Sequence, residues 1–161
     1  MKKQRTPESA YIEAASLCVR GEQCSRDILN RLLKWEIDRD DALAIVATLE
    51  KERFIDNRRF AGAYARDKAH FQAWGKGKIR YQLRMKGIEP QIIDEALESI
   101  DTSRYDDGMR QAILAKARSM ASREPMKARA ALYRFAAARG YDFDKAKVII
   151  NQCLKCDDEM E

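Results

Sequence analysis

The chain reads as an all-α protein, three tandem three-helix modules forming an elongated, curved array. Three observations predict this. The 161 residues include only 3 Pro and 7 Gly, while 45% are hydrophobic and 35% charged, which favours folded helix over sheet or disorder. Apolar residues recur at helical spacing, as in Ala42, Ile45, Val46 and Leu49 at i, i+3, i+4, i+7. The pattern also repeats along the chain, the signature of stacked units. Shifted by 51 positions, Ile28, Leu32, Ile37, Ala42, Ile45, Val46 and Leu49 fall on Ile79, Leu83, Ile88, Ile93, Ala96, Leu97 and Ile100 without a gap. In a third copy Ala128 and Leu132 match at an offset of 49. The offset then grows to 53, placing Gly140-Tyr141 on Gly87-Ile88 and Ala146, Ile149, Ile150 and Cys153 on Ile93, Ala96, Leu97 and Ile100. The four extra residues are about one helical turn, which keeps the buried face in phase.

Each element has local support. Thr6 and Pro7 open the first helix as cap and N1 residue, and Gly21 ends it. Ser25 is placed to cap the second helix, Asp38 the third and Asp56 the fourth. Gly87 ends the fifth at C′, with Ile88 as its hydrophobic C″ partner, and Pro90 fits N1 of the sixth. Gly140 repeats the role of Gly87. Each copy has a preceding helix, because Tyr11, Ala14 and Ala15 match Phe60, Ala63 and Tyr64, and then Met109, Ala112 and Ile113. The modules are therefore expected at 6–53, 56–101 and 102–156, nine helices and no strands. A unit of this size buries little surface alone, so neighbours should stack.

Net charge is +5, unevenly spread. Cations exceed anions by 8 over 51–87 and by 6 over 104–147, while 88–103 carries a net −5. Such blocks make patches that suit an anionic partner. The stretch GKGKIRYQLRMKG, 75–87, is the densest of them. A phosphate-binding P-loop needs a strand, G-x-x-x-x-G-K-[ST] spacing and a helix, and this stretch has neither the strand nor the spacing. It reads instead as a glycine-containing connection and a helix from about Lys76 to Lys86. Ile79 and Leu83 then face the core, and Lys76, Arg80 and Arg84 form a cationic stripe at i, i+4 and i+8. Arg80 and Arg84 replace Leu29 and Leu33 of the first copy, and the third has Arg129 and Tyr133. Such guanidiniums must meet water, a carboxylate or an acidic partner.

Other features read as structural. Phe60, Tyr64 and Phe71 form an aromatic stripe suited to core packing. Trp35 and Trp74 lie near module junctions. His70, the single histidine, is expected on the solvent side of its helix. Arg58 and Arg59 follow the Asp56 cap, where positive charge opposes the helix dipole. Cys153 and Cys156 have C-x-x-C spacing but no second pair, so Cys18, Cys24, Cys153 and Cys156 are read as reduced helix cysteines, with no metal and no cofactor. The CDDEME tail reads as a solvated helix end or an acidic competitor for the basic patches. No His/Cys pair, paired carboxylate or cofactor loop points to catalysis. No apolar run approaches a membrane span or a secretory signal, so the expected location is the cytoplasm.

Three segments, RFIDNRRFAGAYARDKAHF, GKGKIRYQLRMKGI and LYRFAAARGYD, occur in the order found in the RecX family of bacterial recombination regulators. The resemblance covers roughly 25–155 and is strongest over Phe54–Ile88. Ala136 and Ala137 stand where the family often carries a bulkier residue. The resemblance implies tandem three-helix units that bind the RecA filament on single-stranded DNA, lodged along its groove and spanning neighbouring protomers; the chain itself is expected to be a monomer. It implies inhibition of RecA ATP hydrolysis, strand exchange and coprotease activity in DNA repair and the SOS response. No catalytic residue, metal or cofactor is implied. The matched contact candidates are Arg58, Arg59, Lys76, Lys78, Arg80, Arg84 and Lys86, with Lys127, Arg129, Arg134 and Arg139 in the third module. The alternative is a direct DNA binder built from helix-turn-helix-like modules. Against that alternative, Gln82 is the sole Asn or Gln within the basic helix, which suits phosphate or acidic-protein contact better than base readout.

Overall fold

Caps and apolar spacing set the helix boundaries. The computed structural model describes residues 4–158, and among these run nine helices and no strand. They are α1 (Pro7–Arg20), α2 (Ser25–Lys34), α3 (Arg39–Lys51), α4 (Asn57–Phe71), α5 (Lys76–Met85), α6 (Pro90–Glu98), α7 (Thr102–Arg118), α8 (Pro125–Arg139) and α9 (Phe143–Asp158). Thr6 and Ser9 close a reciprocal capping box on α1, with Pro7 at N1 and Gly21 at the C-cap. Asp56 Oδ1 accepts from the Arg59 N–H at 2.9 Å, and Asp101 Oδ1 from the Arg104 N–H at 2.8 Å. Gly87 (φ 76°) and Gly140 (φ 80°) take the left-handed conformation that ends α5 and α8.

Two caps differ from expectation. Cys24, not Ser25, is the N-cap of α2 and makes no side-chain cap bond. Asn57 supplies it across the fold: its Oδ1 accepts from the Ser25 N–H at 3.0 Å and its Nδ2 donates to Ser25 Oγ at 2.9 Å. Asp38 occupies the N-cap of α3, but its carboxylate makes no cap bond.

The aligned apolar positions in the second and third helix of every copy are buried, from Ile28 to Leu49, from Ile79 to Ile100 and from Ala128 to Cys153, while in the first helices Tyr11, Ala15, Ala63, Tyr64 and Ala112 are half-buried. Leu32, Leu83 and Leu132 occupy one repeat position and are each fully buried. Burial of such a leucine is worth about 1.5–3 kcal/mol. By internal packing the chain divides into two compact units, Met1–Tyr64 with Leu83–Ala96, and Ala65–Gln82 with Leu97–Glu161. Residues of α4, α5 and α6 thus serve both units.

In the first unit, α1, α2 and α3 pack against one another, and Ala10, Ile28, Leu32, Val46, Leu49 and Ile55 form the centre of the core. Leu29 and Leu33 pack against it half-buried. Arg26 Nη1 donates to the Met85 carbonyl at 2.9 Å, and its guanidinium lies against Gly87. In the second unit, α7, α8 and α9 pack together around Met109, Ile113, Leu132 and Ile150. There the start of α5 meets the end of α8. The Gly75 N–H donates to the Arg139 carbonyl at 2.6 Å, and the Gly77 N–H to the Gly140 carbonyl at 3.0 Å. A Cβ on Gly75 would collide with the Gly140 backbone, and one on Gly140 with the Lys78 backbone. The glycines of GKGK are there for this close approach of two main chains.

Two further expectations are corrected. Phe60 is buried with its ring tilted against that of Tyr64 at 5.6 Å, but Phe71, at the end of α4, is 79% exposed. His70 is half-buried, and its Nδ1 is shut away from solvent without a hydrogen-bond partner among the described residues.

Candidate partner-binding surface

The cationic stripe of α5 forms because Ile79 and Leu83 are fully buried and fix the helix rotation. Arg84 is exposed and Arg80 half-buried. The lysines of the first turn lie on aromatic rings. Lys76 Nζ is 5.2 Å from the Tyr105 ring and Lys78 Nζ is 4.2 Å from that of Trp74, which also carries Lys68 at 4.7 Å. The Lys76 N–H donates to the Tyr105 hydroxyl at 3.0 Å. Burial and that bond act oppositely on Tyr105, and burial wins, raising its pKa.

Several candidates hold the first unit together. Lys86 Nζ pairs with Asp27 at 2.8 Å and stands 5.9 Å from the rings of both Phe60 and Tyr64. Burial pulls the Lys86 pKa down, but the hydrogen bond and charge of Asp27 outweigh it and leave it raised. Arg59 pairs with Glu22 and donates to the carbonyls of Arg53 at 3.1 Å and Phe54 at 3.4 Å, closing the turn after α3. Arg58 pairs with Glu95, drawn from the acidic segment after α5.

The second-unit candidates fall into two sets. Arg139 donates to the carbonyls of Gln72 at 2.9 Å and Ala73 at 3.5 Å and lies 5.0 Å from the Phe135 ring, so it ties α8 to the turn before α5. Arg129 bonds the side chain of Asn151. Lys127 and Arg134, by contrast, are exposed and line an open cavity of ≈450 Å³ with Arg123, Glu124 and Ala130. Sequence reasoning misses Arg123, because it lies in the turn before α8, where helical spacing does not apply, and only the fold brings it beside Lys127. Neither Lys127 nor Arg134 pairs with a carboxylate among the described residues.

Cys18, Cys24 and Cys153 form no disulfide among the described residues, and burial pushes the Cys24 pKa up to about 11. The side chain of Cys156 and the rest of the acidic tail lie outside the described side chains. Among the described residues, no three His, Cys, Asp or Glu side chains cluster as a metal site, and no helix is long and apolar enough to cross a membrane.

Comparison with known proteins finds relatives in both sequence and fold. The profile described as "RecX, second three-helix domain" matches residues 56–97, which hold α4, α5 and most of α6. The regulatory protein RecX of Clostridium botulinum (strain Eklund 17B / Type B) is 30% identical over 147 residues, spanning 90% of this chain and 67% of that protein. The chain belongs to the RecX family. Relatives of this family carry the name regulatory protein, and a regulatory role follows from membership. The fold agrees. A crystal structure of regulatory protein RecX superposes with a TM-score of 0.80 at 20% identity, covering 90% of this chain and 71% of that one. RecX from Lactobacillus salivarius superposes at 0.74 with 17% identity, covering 91% and 96%.

Proposed function

We propose that this RecX-family chain binds the RecA recombinase filament on single-stranded DNA and inhibits its ATPase, strand-exchange and coprotease activities in the cytoplasm. The modules 6–53, 56–101 and 102–156 act in this reading as a multivalent binder, and linked weak contacts gain strength through effective concentration. The observation that carries it is membership of a family of regulatory proteins together with cations displayed on α5. Within α5, Arg80 and Arg84 are the leading contacts. Arg59, Lys86 and Arg139 hold the scaffold, and their loss acts through stability.

The test is RecA ATPase on single-stranded DNA, titrated with the wild-type chain and with the Arg80→Glu/Arg84→Glu variant. The wild type inhibits, and the variant needs at least about tenfold more protein for half-inhibition, because rim charge reversal sets like charges against each other. Wild-type chain without effect on a cognate filament rejects the reading. Tight, sequence-selective binding to bare DNA favours the direct DNA binder instead.

A further inference from the structure

Two exposed faces, one in each unit, carry opposite charge around matching apolar surface. In the first unit, α1 and α3 enclose an open groove of ≈450 Å³ lined by Pro7, Tyr11, Ile12, Ala44, Ile45 and Thr48, with Glu8 and Asp41 at its edge. Ile12 is 66% exposed, and Val19, one heptad further along the same face of α1, is 75% exposed. Glu8 and Asp41 have no cation partner among the described residues. This is an apolar groove with an acidic rim.

In the second unit, the outer face of α8 has the reverse character. Lys127, Ala130, Arg134 and Ala137 follow at i, i+3, i+7 and i+10, all exposed, with Met126 beside them at 78% exposure and exposed Arg123, just before the helix, lining the same cavity. One carboxylate, Glu124, stands among the three cations. The lengths agree: Pro7 to Val19 on α1 and Met126 to Ala137 on α8 each run about 17 Å at the helical rise. Ala44 in the groove and Ala130 and Ala137 on the stripe are small enough for close helix approach.

We infer that the α1/α3 groove of one copy receives the α8 face of a second copy. The charges select this pairing over the symmetric ones. Groove against groove sets Glu8 and Asp41 against their equivalents, and α8 against α8 sets three cations against three. Only groove against α8 joins acid to base and apolar to apolar, a helix-in-groove contact of heterologous type. The interface is small, so association is weak and the dilute chain is the monomer expected from the sequence. The inference does not depend on RecA, because the second copy is the only partner it names.

The test is sedimentation equilibrium of the full chain alone at low salt, up to about millimolar concentration, where weak contacts populate. The wild type associates reversibly. Glu8→Lys/Asp41→Lys and Lys127→Glu/Arg134→Glu each weaken association at least about tenfold. Mixing these two variants restores it, since both groove–α8 pairings are then complementary again. That recovery also shows both variants are folded. A wild type that stays monomeric throughout overturns the inference. So does association untouched by either reversal, or variants that fail to recover on mixing while their circular dichroism is native.

Discussion

Gly87 and Gly140 share a left-handed backbone, yet they should respond differently to the same substitution. At Gly87 an added Cβ meets the end of the Arg26 side chain at 2.8 Å, and a flexible guanidinium can move aside. At Gly140 it meets the Lys78 backbone, which cannot. Gly87→Ala should therefore cost about 1–2 kcal/mol, the left-handed penalty alone. Gly140→Ala should cost about 3 kcal/mol or more, since overpacking adds to that penalty. Denaturant midpoints of the two variants check the order. Cys24 makes a second prediction at this scale. Its thiol rises from 9.0 to about 11 by burial, whereas the unfolded chain ionises near the ordinary value. The unfolded state thus sheds its proton first, and stability is lost as pH rises from about 9 to about 11. Lys86, also raised, loses its favourable pairing as pH climbs through its folded value and adds to the alkaline loss. Cys24→Ala should flatten the slope of urea midpoint against pH across that window.

At the scale of the helix, the termini divide into those a neighbouring residue caps and those capped from across the fold. Thr6, Asp56, Asp101, Gly87 and Gly140 act on their own helices, and local rules suffice to find them. The start of α2 is different. Its cap comes from Asn57, more than thirty residues away, and no window around Cys24 and Ser25 reveals it. Asn57→Ala should destabilise the protein by about 1–2 kcal/mol, and Asp38→Ala, whose carboxylate makes no cap bond, by markedly less. Thermal denaturation of both variants separates the cases. The same division explains the candidate site. The facing of Arg84 follows from the spacing of Ile79 and Leu83. That Arg59 would close the α3–α4 turn, or that Lys86 would reach Asp27, depends on where distant elements come to lie.

Over the whole molecule, the fold was legible because the apolar pattern occurs three times, so each copy corroborates the others. Ile28, Ile79 and Ala128 align by sequence alone, and all three are buried. Charge was less legible, because solvent-facing cations obey no comparable period. Arg58 and Lys127 look equivalent in sequence, yet one pairs with Glu95 and the other lines an open cavity. The proposed inhibition of the RecA filament should accordingly depend on ionic strength. Raising salt severalfold from about 50 mM should increase the concentration for half-inhibition, and the Arg80→Glu/Arg84→Glu variant should show a shallower dependence. Inhibition titrations at graded salt measure both slopes.

The meeting of α8 with α5 settles what the glycine-rich run does at its N–H groups. A helix start with free amides attracts oxyanions. Here the amides of Gly75 and Gly77 already hold the carbonyl oxygens of Arg139 and Gly140, and the amide of Lys76 holds a tyrosine hydroxyl. The protein has plugged its own anion hole with peptide oxygen, the partially negative end of one helix seated on the partially positive end of another. An incoming phosphate group would have to pull α8 off α5 to reach these amides, so at the start of α5 a polyanion is met by side chains.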